Sequence, residues 1–310
     1  MRNRLAYLSL AAVCFFWGTT YLGIRIGLEG LAPFYLIAIR YVLSGGVLIA
    51  GAALAGMRLP RGRELVLTSL CGLACITVAN SALVFTELYI PTGLTALFYT
   101  TAPFWMVGVN ALLPRGAKPM ALTVGGLLVG VSGVVFLVYP AAVQEGFRGR
   151  TLQGFLLMQL SVVAWVTGAL LQKRVLTQVA PLVTGAVQQF AGGLATFALA
   201  AFFEKAPRHL AMRPAIALIY LITIGSIVGY SAFIYAMHHL PVALVSIYMF
   251  VNPIVAVFLG YMFFHEPFSY RAATAMLVIF VGIVIVRWSE ARGALPGYRV
   301  DSRVAESGGI

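Results

Sequence analysis

The stretch that decides the fold is Leu5–Leu28, LAYLSLAAVCFFWGTTYLGIRIGL, an apolar run with Trp17-Gly18-Thr19-Thr20 at its centre. A helix of this length can cross a hydrocarbon core about 30 Å thick, because an α-helix rises about 1.5 Å per residue. Similar runs follow along almost the whole chain, and the alternating ten-residue strands typical of a membrane barrel are absent from the sequence. We therefore predict an all-α polytopic membrane protein.

The apolar runs predict ten transmembrane helices, at 5–27, 33–55, 65–87, 92–112, 119–139, 152–172, 181–203, 214–236, 241–263 and 269–288. Prolines stand at six span starts, where a missing N–H costs no helical hydrogen bond: Pro33, Pro91, Pro119, Pro181, Pro214 and Pro241. Arg2 and Arg4 precede the first run as in a signal peptide. That run is too long for one and lacks a small-residue cleavage site, so we expect a retained span.

The composition excludes several classes of protein. Of the 310 residues, 61% are hydrophobic and 10% charged, which is more apolar surface than a soluble globule can bury. The net charge of +12 comes from lysines and arginines in short loops and tails, where basic residues determine membrane topology. We therefore expect no nucleic-acid partner. Cys14, Cys71 and Cys75 lie inside apolar runs without zinc-like spacing. We therefore expect no disulfide framework, no metal site and no cofactor.

The distribution of basic residues predicts the orientation. With the N-terminus inside, inner segments hold 13 lysines and arginines and outer loops hold 6, which places both termini in the cytoplasm. The loop from Glu204 to Arg213, with three basic residues, favours the opposite orientation. We expect a multi-pass protein of a prokaryotic plasma (inner) membrane, with a disordered cytoplasmic tail over residues 288–310.

The second half of the chain repeats the first. The markers of this duplication, at offsets of 148 or 150 residues, are Trp17/Trp165, Pro33/Pro181, Arg40/Gln188, Pro91/Pro241 and Pro103/Pro253. We predict two five-helix repeats, 5–139 and 152–287. Five is an odd number, so the second repeat inserts upside down, and inverted repeats are typical of alternating-access transporters. The alternative is an old duplication kept only for stability.

A set of short motifs follows in order along the two halves, and their order and spacing carry the signal: Phe16-Trp17-Gly18, Pro33 with Ile39-Arg40-Tyr41, Tyr89-Ile90-Pro91, Ala102-Pro103, His239-Leu240-Pro241, Asn252-Pro253 and Glu266-Pro267. In these motifs the chain resembles the ten-helix EamA-type branch of the drug/metabolite transporter superfamily. The resemblance implies movement of amino acids and other small metabolites, commonly outward, or of drugs and sugar derivatives. Two features differ from it. The first repeat has Arg115-Gly116-Ala117-Lys118-Pro119 in place of Glu-Pro, and Val13–Gly18 lacks the glutamate of small multidrug relatives.

Two charged side chains are candidates for transport chemistry. Arg40 lies within an apolar span, where a guanidinium is costly unless it faces a wet cavity or a partner. It could bind a substrate carboxylate or phosphate; alternatively it extends to the headgroups or binds backbone carbonyls. Glu87, at the end of the third span, is either a proton or cation relay or a hydrated carboxylate beside a turn. With no acid at mid-depth, facilitated transport or exchange is as well supported as proton coupling.

Further candidates to line a central cavity are mid-span tryptophans and hydrogen-bonding side chains: Trp17, Trp165, Asn80, Tyr99, Thr100, Gln188, Tyr230, Ser246 and Asn252. Each has a structural alternative, since tryptophans also pack between repeats and polar groups also bond between helices. Pro103 and Pro253 lie inside their predicted spans and are expected to kink them. The kinks act as hinges or only shape the cavity.

These features predict an exporter of small metabolites, with amino acids or related amphipathic compounds as the leading substrate class. The alternatives are multidrug or nucleotide-sugar transport and, in a different class, a membrane enzyme or scaffold. The sequence has no His-Glu-x-x-His helix and no Gly-x-Ser-x-Gly elbow, so we predict no enzyme. The partners expected are a small-molecule substrate and the lipid bilayer. The pairs Gly23/Gly27, Gly126/Gly130 and Gly225/Gly229 favour packing within a monomer, with a dimer face as the alternative.

Overall fold

The computed structural model describes residues 2–112, 120–146, 149–175, 179–207, 209–240, 242–245, 247–266 and 269–293, and in these ranges all regular structure is helical. Eight helices are long and apolar enough to cross a membrane, in agreement with a polytopic membrane protein: Arg4–Gly27, Pro33–Leu54, Arg63–Thr86, Ala121–Tyr139, Arg150–Gln172, Pro181–Phe203, Met212–His239 and Tyr270–Ser289.

The individual helices, in chain order, are α1 (Arg2–Gly27), α2 (Pro33–Leu54), α3 (Arg63–Gly72), α4 (Ser81–Thr86), α5 (Thr92–Tyr99), α6 (Ala102–Leu112), α7 (Ala121–Glu145), α8 (Arg150–Val175), α9 (Pro181–Phe203), α10 (Met212–Tyr220), α11 (Gly229–His239), α12 (Val242–Val245), α13 (Tyr248–Phe264) and α14 (Tyr270–Gly293). Helix α14 extends past Trp288, where the sequence predicted a disordered tail to begin. The tail beyond Gly293, with Pro119 and Pro241, lies outside the described residues.

Two predicted spans are broken rather than continuous. The span 92–112 is divided into α5 and α6, and the span 241–263 into α12 and α13. At the first break Thr100 and Thr101 form a turn, and their hydroxyls donate to the carbonyl oxygens of Leu97 and Phe98 at 2.6 and 2.9 Å. Pro103 lies in the first turn of α6, where its missing N–H is harmless, so it begins a helix instead of kinking one. Pro253 does lie inside α13.

Two membrane-length helices contain a π-helical segment. Segment π1 (Leu73–Asn80) joins α3 to α4, and segment π2 (Leu221–Val228) joins α10 to α11. The two segments begin 148 residues apart, the offset of the tryptophan pair. A π-segment is rare and is frequently found at functional sites. The two π-segments therefore mark the candidate site.

The pairs α2/α9 and α7/α14 pack most extensively. A Cβ added at Gly45 would lie 2.5 Å from the backbone nitrogen of Phe190, and one at Gly193 would lie 2.7 Å from that of Val42. Gly126 and Gly282 meet in the same way between α7 and α14, since a Cβ added at Gly126 would lie 2.9 Å from the Gly282 carbonyl oxygen. The absence of side chains lets these backbones touch.

The first helix of each predicted half packs mainly against the other half. Helix α1 contacts α13, α11, α10 and π2, whereas α8 contacts π1, α4, α6 and α3. Gly225 and Gly229 lie against Thr20 and Trp17 of α1, so these small residues serve packing within the chain. Each π-segment therefore lies against the first helix of the other half, π1 against α8 and π2 against α1.

Carboxylates hold several helix ends together at one end of the bundle. Glu204, after α9, accepts from the backbone N–H groups of Phe34 and Tyr35 at 2.9 and 3.0 Å. Glu266, after α13, accepts from those of Thr92 and Gly93 at 2.8 and 3.1 Å. Each carboxylate satisfies N–H groups that a helix start leaves unpaired and lies at the positive end of the helix dipole. We call this end, where α1, α4, α9 and α13 finish, the Glu87 end.

Candidate functional site

Arg40 is the buried cation of the bundle interior. Its side chain is 7% exposed, its Nε donates to the Ser226 hydroxyl in π2 at 2.8 Å, and its guanidinium lies over the Tyr41 ring at 4.7 Å from the centroid. The ion pairs seen between described residues join Arg58 to Glu64 and Arg213 to Glu29, so no described carboxylate neutralises Arg40. Its terminal nitrogens donate to no described residue, which leaves them available to an anionic group.

Trp17 contacts the same π-segment as Arg40. Its Nε1 donates to the Gly225 carbonyl oxygen at 3.2 Å, and its ring packs against Phe233 and Tyr248 at centroid distances of 5.0 and 5.3 Å. The Arg40 guanidinium approaches the same glycine, 3.3 Å from where a Cβ would stand. A cation and an aromatic cluster from different helices therefore meet at Gly225.

The first π-segment forms a matching polar group. Asn80 accepts from the Tyr41 hydroxyl at 2.8 Å and donates to the Cys75 carbonyl oxygen at 2.8 Å. Trp165, half-buried in α8, packs against the hydrophobic cluster around Tyr41 and Cys75. Tyr41 thus links the two groups, because its ring lies under Arg40 and its hydroxyl binds Asn80.

Several other predicted cavity residues form no hydrogen bond with Arg40, Trp17 or Asn80. Gln188 is buried and donates to Gln172 Oε1 at 2.6 Å, and the Tyr230 hydroxyl donates to the Pro181 carbonyl oxygen at 3.2 Å. Thr100 only closes the α5 turn, and Tyr99 packs in the cluster around Phe98. Ser246 lies outside the described residues.

Asn252 pins the second broken span to α1. With its amide oriented so that the nitrogen donates, it binds the carbonyl oxygens of Cys14 and Tyr248 at 2.8 and 3.1 Å. Gln159 likewise binds the first broken span to α8, since its Oε1 accepts from Thr101 at 3.0 Å and from Trp105 Nε1 at 2.7 Å. Gln159 is not among the residues predicted from the sequence, although a glutamine in the middle of an apolar span indicates a position facing the bundle interior.

Glu87 is fully buried, contrary to the alternative of a hydrated carboxylate beside a turn. Its Oε2 accepts from the Thr92 hydroxyl at 3.2 Å, and its Oε1 has no hydrogen-bond partner among the described residues. Its backbone carbonyl accepts from Arg25. Because Glu87 lies at the end of the bundle, it is separate from the group around Arg40.

The described residues contain no group of three histidine, cysteine, aspartate or glutamate side chains that could hold a metal ion. Among the described residues, the interior instead offers the unneutralised Arg40 cation, the indole rings of Trp17 and Trp165, and several amide and hydroxyl groups, contributed by helices of both halves. Such an arrangement can bind a small anionic or zwitterionic molecule that also has apolar surface.

Comparison with known proteins places this geometry in a family. The model of the EamA-like transporter family matches the chain twice, over residues 4–139 and 152–288. The uncharacterized inner membrane transporter YedA of Escherichia coli (strain K12) is 29% identical over 280 residues, which cover 90% of this chain and 89% of YedA. A probable terminal-alkyne amino-acid exporter of Streptantibioticus cattleyicolor is 25% identical over 253 residues, covering 81% of this chain and 82% of the exporter.

A solved crystal structure has a similar fold. It superposes with a TM-score of 0.67 at 20% sequence identity, covering 93% of this chain and 98% of that chain. At this identity the likeness concerns the fold alone. The family match and the membrane-length helices together show a multi-pass membrane protein of a transporter family.

Proposed function

Since the chain belongs to the EamA-like transporter family, we propose that it exports small metabolites, with amino acids or related amphipathic compounds as the substrates. The observation that carries the proposal is Arg40, a buried guanidinium whose only described hydrogen bond goes to Ser226. A substrate carboxylate supplies the missing negative charge, and a charge-assisted pair of this kind is strong where water is excluded. The nearby rings of Trp17 and Tyr248 suit an apolar substrate side chain.

The substrate class has independent support from a relative. One relative is named as a probable exporter of an amino acid, and a carboxylate is common to all amino acids. A multidrug transporter of cations fits less well, because the interior charge at Arg40 is positive. Nucleotide-sugar transport stays the second candidate, since a phosphate also binds arginine.

We also propose that transport proceeds by alternating access of ten spans arranged as two inverted repeats, residues 5–139 and 152–287, with both termini in the cytoplasm. Three observations support this arrangement: the family model matches each half, the π-segments begin 148 residues apart, and Gly45 and Gly193 make reciprocal contacts between α2 and α9. In this proposal the hinges are the breaks between α5 and α6 and between α12 and α13, with Pro103 and Pro253 in the helices that follow them. Each broken span is bound to the first helix of the other half.

The membrane in this proposal is a prokaryotic inner membrane, in keeping with the location in the name of YedA. We propose a monomer, with a dimer as the alternative, because packing within the chain already accounts for the pairs Gly23/Gly27, Gly126/Gly130 and Gly225/Gly229. Glu87 serves as a proton relay if transport is proton-coupled, since it is buried with one oxygen unpaired among the described residues.

Cells that produce the protein are expected to release more of an amino acid or related amphipathic metabolite than matched cells that lack it. Export removes substrate from the cytoplasm, so the measurement is the metabolite profile of cells and medium. Glu87→Gln, made in parallel, is expected to lose any response of export to the pH gradient, since an amide does not titrate. Identical profiles with and without the protein would contradict the proposal, and a pH response retained by the variant would remove Glu87 as the relay.

A further inference from the structure

A cavity of about 210 Å³ lies at the Glu87 end, apart from the group around Arg40. Its wall is the turn 88–91, the ring of Phe264 and three charged side chains, Arg25, Arg150 and Glu266. The volume is below the roughly 300–1,000 Å³ of drug-sized pockets, so it suits a solute with few heavy atoms. Two positive charges and one negative charge in so small a space favour an anionic group.

The two arginines are held in place by backbone oxygens of neighbouring residues. Arg25 of α1 donates to the Glu87 carbonyl, and Arg150 of α8 donates to the Leu88 carbonyl at 2.6 Å. Each guanidinium has five N–H groups, so most of its donors still point elsewhere and bind no other described residue. Both guanidinium groups are therefore oriented towards one turn with donors to spare, and neither forms an ion pair with a described carboxylate.

The remaining wall suits a molecule with more than a negative charge. Glu266 binds the N–H groups of Thr92 and Gly93, but each carboxylate oxygen has a second lone pair that can accept from an ammonium group. Phe264 provides apolar surface beside it.

We propose that this cavity is a second binding site, for the carboxylate of a small amphipathic zwitterion such as an apolar amino acid. The carboxylate bridges Arg25 and Arg150, the ammonium group faces Glu266, and the side chain lies on Phe264. The bound solute covers Leu88, whose side chain is otherwise 39% exposed. The choice of an amino acid rests on the proposed function, but binding in this cavity is measured without transport.

The test uses Leu88→Cys, because this position lies in the cavity wall and its backbone carbonyl is unchanged. The purified variant, in detergent, is labelled with a membrane-impermeant maleimide with and without millimolar L-leucine. Wild-type protein gives the background from its native cysteines, of which Cys71 and Cys75 are buried. We expect leucine to slow labelling. Leucinamide lacks the carboxylate, so its concentration for half-protection is expected to be roughly tenfold higher, because a hydrogen bond to a charged group is lost.

Arg25→Gln and Arg150→Gln in the Leu88→Cys background are each expected to raise the leucine concentration for half-protection at least roughly tenfold. Arg271→Gln is the matched control, because Arg271 lies over Phe136 and outside the cavity wall. Equal protection by leucinamide, no protection by leucine, or protection only by phosphatidylglycerol micelles would overturn the site. Labelling that leucine slows in a protein that moves neither leucine nor any other amino acid of a broad panel would instead leave this site standing and contradict the proposed function.

Discussion

Replacing Arg40 with alanine is expected to lower leucine transport into proteoliposomes at least roughly tenfold. The buried guanidinium has no described carboxylate partner and only one described hydrogen bond, so its removal takes the counter-charge from a substrate carboxylate. A hydrogen bond to a charged group contributes about 1.5–3 kcal/mol, which corresponds to a tenfold or larger change in affinity. The measurement is the initial rate of labelled leucine uptake over a range of concentrations.

Arg58→Ala is the matched control, because Arg58 is exposed in the loop before α3 and pairs with Glu64 in the first turn of that helix. It is expected to transport as the wild type does. Arg40→Lys keeps the charge but loses the planar fork, so an intermediate rate is expected. Thermal unfolding of each variant distinguishes the loss of a substrate contact, which leaves the stability unchanged, from the loss of packing on Tyr41, which lowers it. Arg40→Ala protein that is folded and transports at the wild-type rate would remove Arg40 from the site.

Gly45→Ala is expected to lower the free energy of unfolding by about 3 kcal/mol, near the upper end for overpacking. The added Cβ would stand 2.5 Å from the Phe190 nitrogen and 2.8 Å from the Ala186 carbonyl oxygen. Both are backbone atoms, so the conflict is relieved only if α2 and α9 separate. The measurement is unfolding of the purified protein in mixed micelles, followed by circular dichroism.

Gly51→Ala provides the comparison within the same helix. No atom lies within 4 Å of a Cβ at Gly51, so this variant is expected to be as stable as the wild type or slightly more stable, since alanine favours helices. Equal destabilisation by both substitutions would show that loss of glycine itself matters. In that case the α2/α9 contact would not be the cause.

Much of the architecture could be predicted because the bilayer imposes strong rules on sequence. Long apolar runs and prolines at helix starts placed most of the membrane-length helices within a few residues, as at Pro33 and Pro181. The break at Thr100 could not be predicted, since the run 92–112 is apolar enough to read as one span and the turn depends on threonine hydroxyls binding the backbone. The π-segments could not be predicted either, because they have no hydrophobic periodicity of their own in the sequence. Neighbouring helices fix their wider turns.

The site was predictable only in part. Arg40 stood out because a charge in an apolar span demands an explanation. Its partner Ser226 lies 186 residues away, and no local pattern connects them. The burial of Glu87 was equally hidden, because a carboxylate at a span end is hydrated or covered according to how Thr92 and the turn fold over it. Contacts across the two halves, which decide the chemistry, appear only once the helices are assembled.

Counterflow in proteoliposomes tests the central claim, that this chain carries amphipathic amino acids through alternating access, most directly. Vesicles containing the purified wild-type protein are loaded with unlabelled leucine and diluted into labelled leucine. A carrier that exposes one site to each side in turn is expected to accumulate the label transiently above the level of protein-free vesicles. No accumulation with leucine or with any amino acid of a broad panel would contradict the account.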